Sequence, residues 1–277
     1  MSNDRLDSVG SWLSTITEAL EGVVERPRRE AQLLLMAHLQ QDELWLMMHE
    51  SDLVKEGHKL QAWLERRQKS EPLEYITNSV SFYSERFFIQ EGALIPRPET
   101  ELLIDLVLAN VDVTTTATFV EVGVGSGIIS IMLAKYLPHA KFIGVDISAK
   151  ALEVARINIE KFGLSERIEL RESDLLSAVS EKIDFLVSNP PYIADDEPLE
   201  SNLDYEPDLA LFGGHIGDEI IQKLLDAVYE REIPHFVCEM GYDQEPKVKH
   251  YLREQAFKRL EFYKDLAGLD RGFILQK

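Results

Sequence analysis

One segment limits this chain more than any other: TFVEVGVGSGIIS, in which a short apolar strand runs through Gly123, Gly125 and Gly127 straight into a helix. Glycines here let the backbone turn tightly, approach a ligand closely and aim the first helical N–H groups at it. The pattern continues downstream. KFIGVD, RIELRE, DFLVSNPPY and HFVCEM read as buried strands, and IISIMLAKYL, SAKALEVARINIEKFG and DEIIQKLLDAVYE as the helices between strands. Such alternation means βαβ units and a mostly parallel sheet covered on both faces. KRLEFYKD and RGFILQK, parted by a short turn holding Gly268, end the chain as a hairpin that adds an antiparallel strand.

The first part of the chain has another rhythm. Val9, Leu13, Ile16 and Leu20 fall three and four apart, and EAQLLLMAHLQ and HKLQAWLERRQ repeat that spacing. Trp12, Trp45 and Trp63 all lie in this stretch, where aromatic residues at helical spacing read as core. Residues 75–95, rich in Tyr, Phe, Ile and Val, read as a β-hairpin linker. In the following IPRPETELLIDLVLANV, Pro98 fits the first turn of a helix, with Glu99 and Glu101 near its positive end. The expected domains are a helical bundle over 1–74, the hairpin over 75–95 and an α/β domain over 96–277.

Charge and cysteine content exclude several functions. Lys and Arg number 29 against 49 Asp and Glu, a net charge of −20, which repels duplex nucleic acid and anionic membrane. The lone cysteine, Cys238, can form neither an internal disulfide nor a Cys-rich zinc site, and the seven histidines show no metal-ligand spacing, so no metal is expected. The opening MSNDRLDSVGSWL does not read as a signal peptide, and no apolar run reaches the roughly 18–20 residues of a membrane span. A soluble, cytoplasmic, monomeric protein is expected.

The glycine loop is G-x-G-x-G, with Ile128 where the dinucleotide fingerprint wants its last glycine. Asp146 ends the next strand, where a carboxylate can accept hydrogen bonds from two ribose hydroxyls. Asp174 and Leu175 follow the third strand, placed to read an adenine edge; alone, Asp174 reads as a helix cap. In this order at consecutive strand ends, these residues resemble the S-adenosylmethionine site of class I methyltransferases. Glu121, Gly123, Val124, Gly125, Ser126, Gly127, Asp146, Asp174, Leu175 and Asn189 are the expected cofactor contacts, and S-adenosylhomocysteine the expected product.

The fourth strand ends in Asn189, Pro190, Pro191 and Tyr192. Two prolines fix φ and remove two donors, so their carbonyls stand in a stiff direction. N-P-P-Y resembles the signature of methyltransferases acting on planar amino or amide nitrogens. The resemblance implies that the Asn189 side-chain oxygen and the Pro190 carbonyl grip both N–H groups of such a nitrogen, with Tyr192 packed on the planar group. Developing positive charge would be stabilised by those dipoles.

EPLEYI, ALIPRPETELL, YEPDLALFGG, CEMGYDQ and LDRGF extend the likeness to the peptide chain release factor N5-glutamine methyltransferase family over residues 71–277. The resemblance implies a Rossmann-like seven-stranded sheet behind a helical bundle that helps dock the factor. It also implies methyl transfer to the glutamine amide of the Gly-Gly-Gln motif, modulating translation termination. Arg97 and Glu99 would shape the substrate mouth, though an ion pair or helix cap explains them equally. Three positions depart from the family pattern: Asn78 for Gly, Glu121 for Asp, and Ile216 inside GGHIG. The competing readings are a glutamine methyltransferase of a ribosomal protein, an adenine-N6 nucleic-acid methyltransferase and a catalytically dead binding module. The net charge and the lack of a basic stripe oppose the nucleic-acid reading.

Overall fold

The computed structural model describes residues 7–199 and 203–277; residues 1–6, the start of the segment that does not read as a signal peptide, lie outside them. The described residues form two compact units, one of residues 7–79 and 203–205, the other of 80–199 and 206–277.

The first unit is helical, with α1 (Val9–Leu20), α2 (Pro27–Leu39), α3 (Glu43–Met48), α4 (Gly57–Arg67) and α5 (Leu73–Thr77). Ser8 caps α1 by accepting from the Ser11 N–H at 3.2 Å, and Asp42 caps α3 by accepting from Trp45 at 2.8 Å. Ile16, Leu20, Leu34, Leu35 and Leu60 are fully buried, and Trp45 and Trp63 pack on the same cluster. On α1, Trp12 is buried beside the expected Val9, Ile16 and Leu20, while Leu13 is only half-buried. Residues 75–77 finish α5 instead of opening a hairpin, which corrects the linker's expected start. Asn78 stops the helix at φ 53 and donates its N–H to the Glu74 carbonyl, so it serves in the left-handed position usually given to Gly.

The hairpin itself is short: β1 (Val80–Phe82) and β2 (Glu85–Phe87), joined through Tyr83 and Ser84 at φ 52 and 63. Two successive positive-φ residues match the strand twist in a two-residue turn. The aromatic run around it reads more extended than it is, because β-propensity records packing more than backbone preference.

The second unit continues with α6 (Thr100–Ala109), β3 (Thr118–Val122), α7 (Ile128–Tyr136), β4 (Lys141–Asp146), α8 (Ala149–Lys161), β5 (Ile168–Glu172) and β6 (Phe185–Ser188). Then come β7 (Ile193–Ala194), α9 (Asp208–Leu211), β8 (Phe212–Gly214), α10 (Glu219–Glu230), β9 (His235–Glu239), α11 (Glu245–Leu252), β10 (Arg259–Lys264) and β11 (Asp270–Gln276). Pro98 sits in the turn before α6, with Glu99 as N-cap, slightly ahead of its expected place. Seven strands form one sheet in the order β10-β11-β9-β6-β3-β4-β5. β9, β6, β3, β4 and β5 are parallel, and β11 runs antiparallel to both its neighbours. The Rossmann-like architecture and the antiparallel C-terminal strand are as the sequence predicts.

Covered on both faces, the central strands are buried almost throughout. Phe142, Phe119, Phe185 and His235 stack ring on ring across four adjacent strands, at centroid distances of 5.1, 4.7 and 4.3 Å. From β3 the chain winds to β4 and β5 on one side, then crosses back to β6 on the other. The carboxyl ends of β3 and β6 therefore lie side by side at a topological switch point, where open α/β sheets bind ligands.

Candidate active site

The glycine loop leaves β3 at this switch. Gly123, Gly125 and Gly127 have φ of 72, 53 and 81, a left-handed series that side chains with a Cβ rarely adopt. The Gly123 and Val124 N–H groups both donate to the Val145 carbonyl, at 2.9 and 3.0 Å, which folds the loop over the end of β4. Asn158 on α8 holds it from behind, donating to the Ser126 carbonyl at 2.8 Å.

Asp146 closes β4 under that loop. Its Oδ2 accepts from the Gly125 N–H and its Oδ1 from the Ser148 N–H, each at 2.9 Å. An ionised carboxylate offers about four lone-pair positions, so two remain for a ligand's hydroxyls. Burial pushes the Asp146 carboxyl above its ordinary range, and the backbone N–H bonds oppose that shift. Beyond β5, Leu175 holds φ 49, an unusual backbone conformation for a bulky residue and one that clusters at ligand sites.

Glu121 is a carboxylate inside a buried strand. Its Oε2 accepts from the Ser130 N–H at 2.8 Å and from the Ser130 hydroxyl, in the first turn of α7. Burial dominates all the same and pushes its pKa up to about 8, with Asp146 adding to the rise.

β6 ends beside the glycine loop, where the Ser188 hydroxyl donates to the Val122 carbonyl at 2.8 Å. A Cβ on Gly123 would stand 3.8 Å from the Asn189 carbonyl oxygen. On its other side the N-P-P-Y segment is braced by β8 and the loop after it. A Cβ on Gly213 would meet the Pro191 carbonyl at 2.5 Å, and one on Gly217 the Tyr192 carbonyl at 2.6 Å. Gln244 ties both segments, donating to the Tyr192 and Gly217 carbonyls at 3.1 and 3.0 Å. Ile216, which departs from the family pattern, is 50% exposed.

These elements wall a cavity of about 240 Å³. Glu121, Gly123, Val124, Gly125, Ser126, Asp146, Asp174, Leu175, Asn189, Pro190, Pro191 and Arg97 all line it. Gly127, Tyr192 and Glu99 do not. Gly127 is the N-cap of α7, and Glu99 the N-cap of α6. Tyr192 is half-buried within electrostatic reach of Glu239, and its burial pushes its hydroxyl up to about 12. Arg97 does form an ion pair: it meets Glu206 at 2.5 Å, and Glu206 also accepts from the Ile95 N–H at 2.9 Å. Among the described residues, no cluster of His, Cys, Asp or Glu could hold a metal ion.

Sequence reading missed Thr100 in the cavity wall, behind which Glu239 is buried. Thr100 donates to Glu239 Oε2 at 2.7 Å, and Asn189 Nδ2 donates to the Thr100 oxygen at 3.2 Å. A signal existed, since an acidic residue closing the apolar strand HFVCE must have buried partners.

The two buried glutamates set a pH dependence. Burial raises Glu121 to about 8 and Glu239 to about 7, from an ordinary 4.5. Between those values the folded protein keeps protons that the unfolded chain has released. Each group's contribution is therefore full below pH 4.5 and is lost as pH rises through its folded value, by about 1.4 kcal/mol per pH unit at most. Urea unfolding of ligand-free protein should show wild type losing stability relative to Glu121→Gln as pH rises across this window. A difference that stays flat with pH would refute the assignment.

Residues 99–202 match the model of the Methyltransferase small domain, and residues 11–77 that of the PrmC N-terminal domain. Among solved structures, the hMettl16 catalytic domain in complex with a MAT2A 3'UTR hairpin superposes with a TM-score of 0.54 at 16% identity, covering 69% of this chain and 74% of that one. The ribosomal protein L11 methylase from Lactobacillus delbrueckii subsp. bulgaricus gives 0.50 at 22% identity, covering 70% and 88%. At such identities the likeness shows the fold alone. Whole-chain relatives say more. The release factor glutamine methyltransferase of Koribacter versatilis is 37% identical over 91% of both chains, and that of Chlorobaculum tepidum 36% identical over 98% of both. With this identity sustained along nearly its entire length, the chain belongs to the release factor glutamine methyltransferase family.

Proposed function

We propose that this chain moves a methyl group from S-adenosylmethionine to the side-chain amide nitrogen of the glutamine in the Gly-Gly-Gln motif of peptide chain release factors. It would act in the cytoplasm as a monomer, with the helical residues 1–74 docking the factor. The observation that carries the reading is the meeting of Asn189 and Pro190 with the glycine loop and Asp146 in one cavity wall.

The donor set suits the cofactor. Asp146 keeps free lone pairs for ribose hydroxyls, Asp174 and the Leu175 backbone would meet an adenine edge, and Glu121 lines the cavity where a neighbouring ammonium group would favour its ionised form. When bound, S-adenosylmethionine supplies an electrophilic methyl on a sulfonium. The acceptor is the harder partner, because an amide nitrogen's lone pair is delocalised into its carbonyl. Asn189 Oδ1 and the Pro190 carbonyl would accept from the two N–H groups, orient the nitrogen and stabilise the positive charge that develops there. One proton then leaves the nitrogen to water, so no side chain needs to act as a base. Arg97, held by Glu206, fixes the rim through which the glutamine enters. Tyr192 and Glu99 support the site from outside the cavity wall.

Fragmentation mass spectrometry of a release factor incubated with enzyme and S-adenosylmethionine should place one added methyl on the Gly-Gly-Gln glutamine. Methyl on a ribosomal protein or on adenine, with the factor unmodified, would overturn the reading.

A further inference from the structure

The chemistry proposed above leaves one question open: why should Asn189 present its oxygen, and not its amino group, to the substrate? A side-chain amide has two nearly isosteric ends, and only the oxygen can accept from an amide N–H. Something must hold it one way round.

We propose that Thr100 and Glu239 are positioning residues that fix the Asn189 amide with Oδ1 toward the acceptor nitrogen. The argument follows the protons. Thr100 and Glu239 are 2% and 1% exposed, so their polar atoms must find partners within the protein. A carboxylate accepts only, hence the single hydroxyl proton of Thr100 goes to Glu239 Oε2, at 2.7 Å. The Thr100 oxygen is left with lone pairs, and the Asn189 Nδ2 that faces it at 3.2 Å must be the donor. With Nδ2 turned to the Thr100 oxygen, the other end of the amide, Oδ1, is the one left to face the acceptor. The relay joins β9, α6 and the end of β6, three elements of one packed unit, so the amide is held by rigid structure.

The same reasoning gives the relay a pH response. Burial pushes Glu239 up to about 7, against the opposing pull of Thr100, Arg271 and Asn189, while Glu99 adds to the rise. Tyr192, Tyr263 and Cys238 also face it, and burial keeps all three in their neutral forms near pH 7. Protonated, Glu239 can donate to the Thr100 oxygen and free the hydroxyl to donate in turn, so the polarity that orients Asn189 is lost. Turnover should therefore decline as pH falls below about 7.

This inference rests on the proposed amide acceptor, and its test separates the two. Wild type, Thr100→Val, Thr100→Ser and Glu239→Gln would be assayed on a release factor, with S-adenosylmethionine affinity measured separately by calorimetry. Losing the relay should lower kcat of Thr100→Val about 10- to 100-fold, the usual cost of removing a group that orients a functional ligand, with cofactor affinity nearly unchanged. Thr100→Ser should restore most of it, and Glu239→Gln should flatten the acid limb of the kcat profile. Thr100→Val turning over within about twofold of an active wild type would refute the relay and leave the acceptor standing. So would a parallel loss of cofactor affinity that Thr100→Ser does not rescue. A wild type inactive on the factor would refute both.

Discussion

Asn189→Ala should lower turnover on a release factor about 10²- to 10³-fold while leaving S-adenosylmethionine affinity within a few-fold of wild type. That is the usual loss when one of a few preorganised dipoles aimed at developing charge is removed. On the proposed mechanism Asn189, at the switch-point end of β6, supplies one of two acceptors, and Pro190, whose backbone is already stiff, supplies the other. With one gone, the nitrogen keeps a single anchor, can rotate, and aims its lone pair at the methyl only part of the time. Binding should suffer less than turnover, because the bonds strengthen as the nitrogen becomes positive. An alanine variant with wild-type kcat and a raised KM would assign Asn189 to binding alone.

Asp146→Ala should act on the other side of the reaction. Its carboxylate already accepts from Gly125 and Ser148. Two further hydrogen bonds to ribose hydroxyls, with a charged acceptor, are worth about 1.5–3 kcal/mol each. Cofactor affinity should therefore fall at least about 100-fold, and more if the glycine loop slackens once the Gly125 N–H has no partner. Calorimetry with S-adenosylhomocysteine reads this directly, and melting temperature tells loss of contact from loss of fold. Unchanged affinity in a folded variant would remove Asp146 from the binding site.

The parts of this molecule that were legible in its sequence share a physical cause. Strands buried on both faces must be continuously apolar, so TFVEV, KFIGVD and HFVCE announced themselves, and the glycine loop and the two prolines are backbone constraints that only those residues satisfy. Helices α3 and α5, of six and five residues, are too short for a 3.6-residue period to show. The polar wiring was hidden for a different reason. Arg97 and Glu206 are 109 residues apart, and Thr100 and Glu239 are 139 apart, so nothing local marks either as a pair. What the sequence did carry was a carboxylate inside an apolar strand at Glu121 and again at Glu239, a costly placement that points to a partner or a task. Tyr192 is the opposite case: its place in N-P-P-Y suggests contact with the substrate, yet it is not among the residues that line the cavity.

The most direct measurement is transfer of labelled methyl from S-adenosylmethionine to purified release factor, run beside a factor whose Gly-Gly-Gln glutamine is replaced by alanine and beside DNA. Label should appear on the intact factor and vanish with that glutamine or with Asn189→Ala. Label on DNA and none on the factor would contradict the account and leave the net charge of −20 to be explained anew.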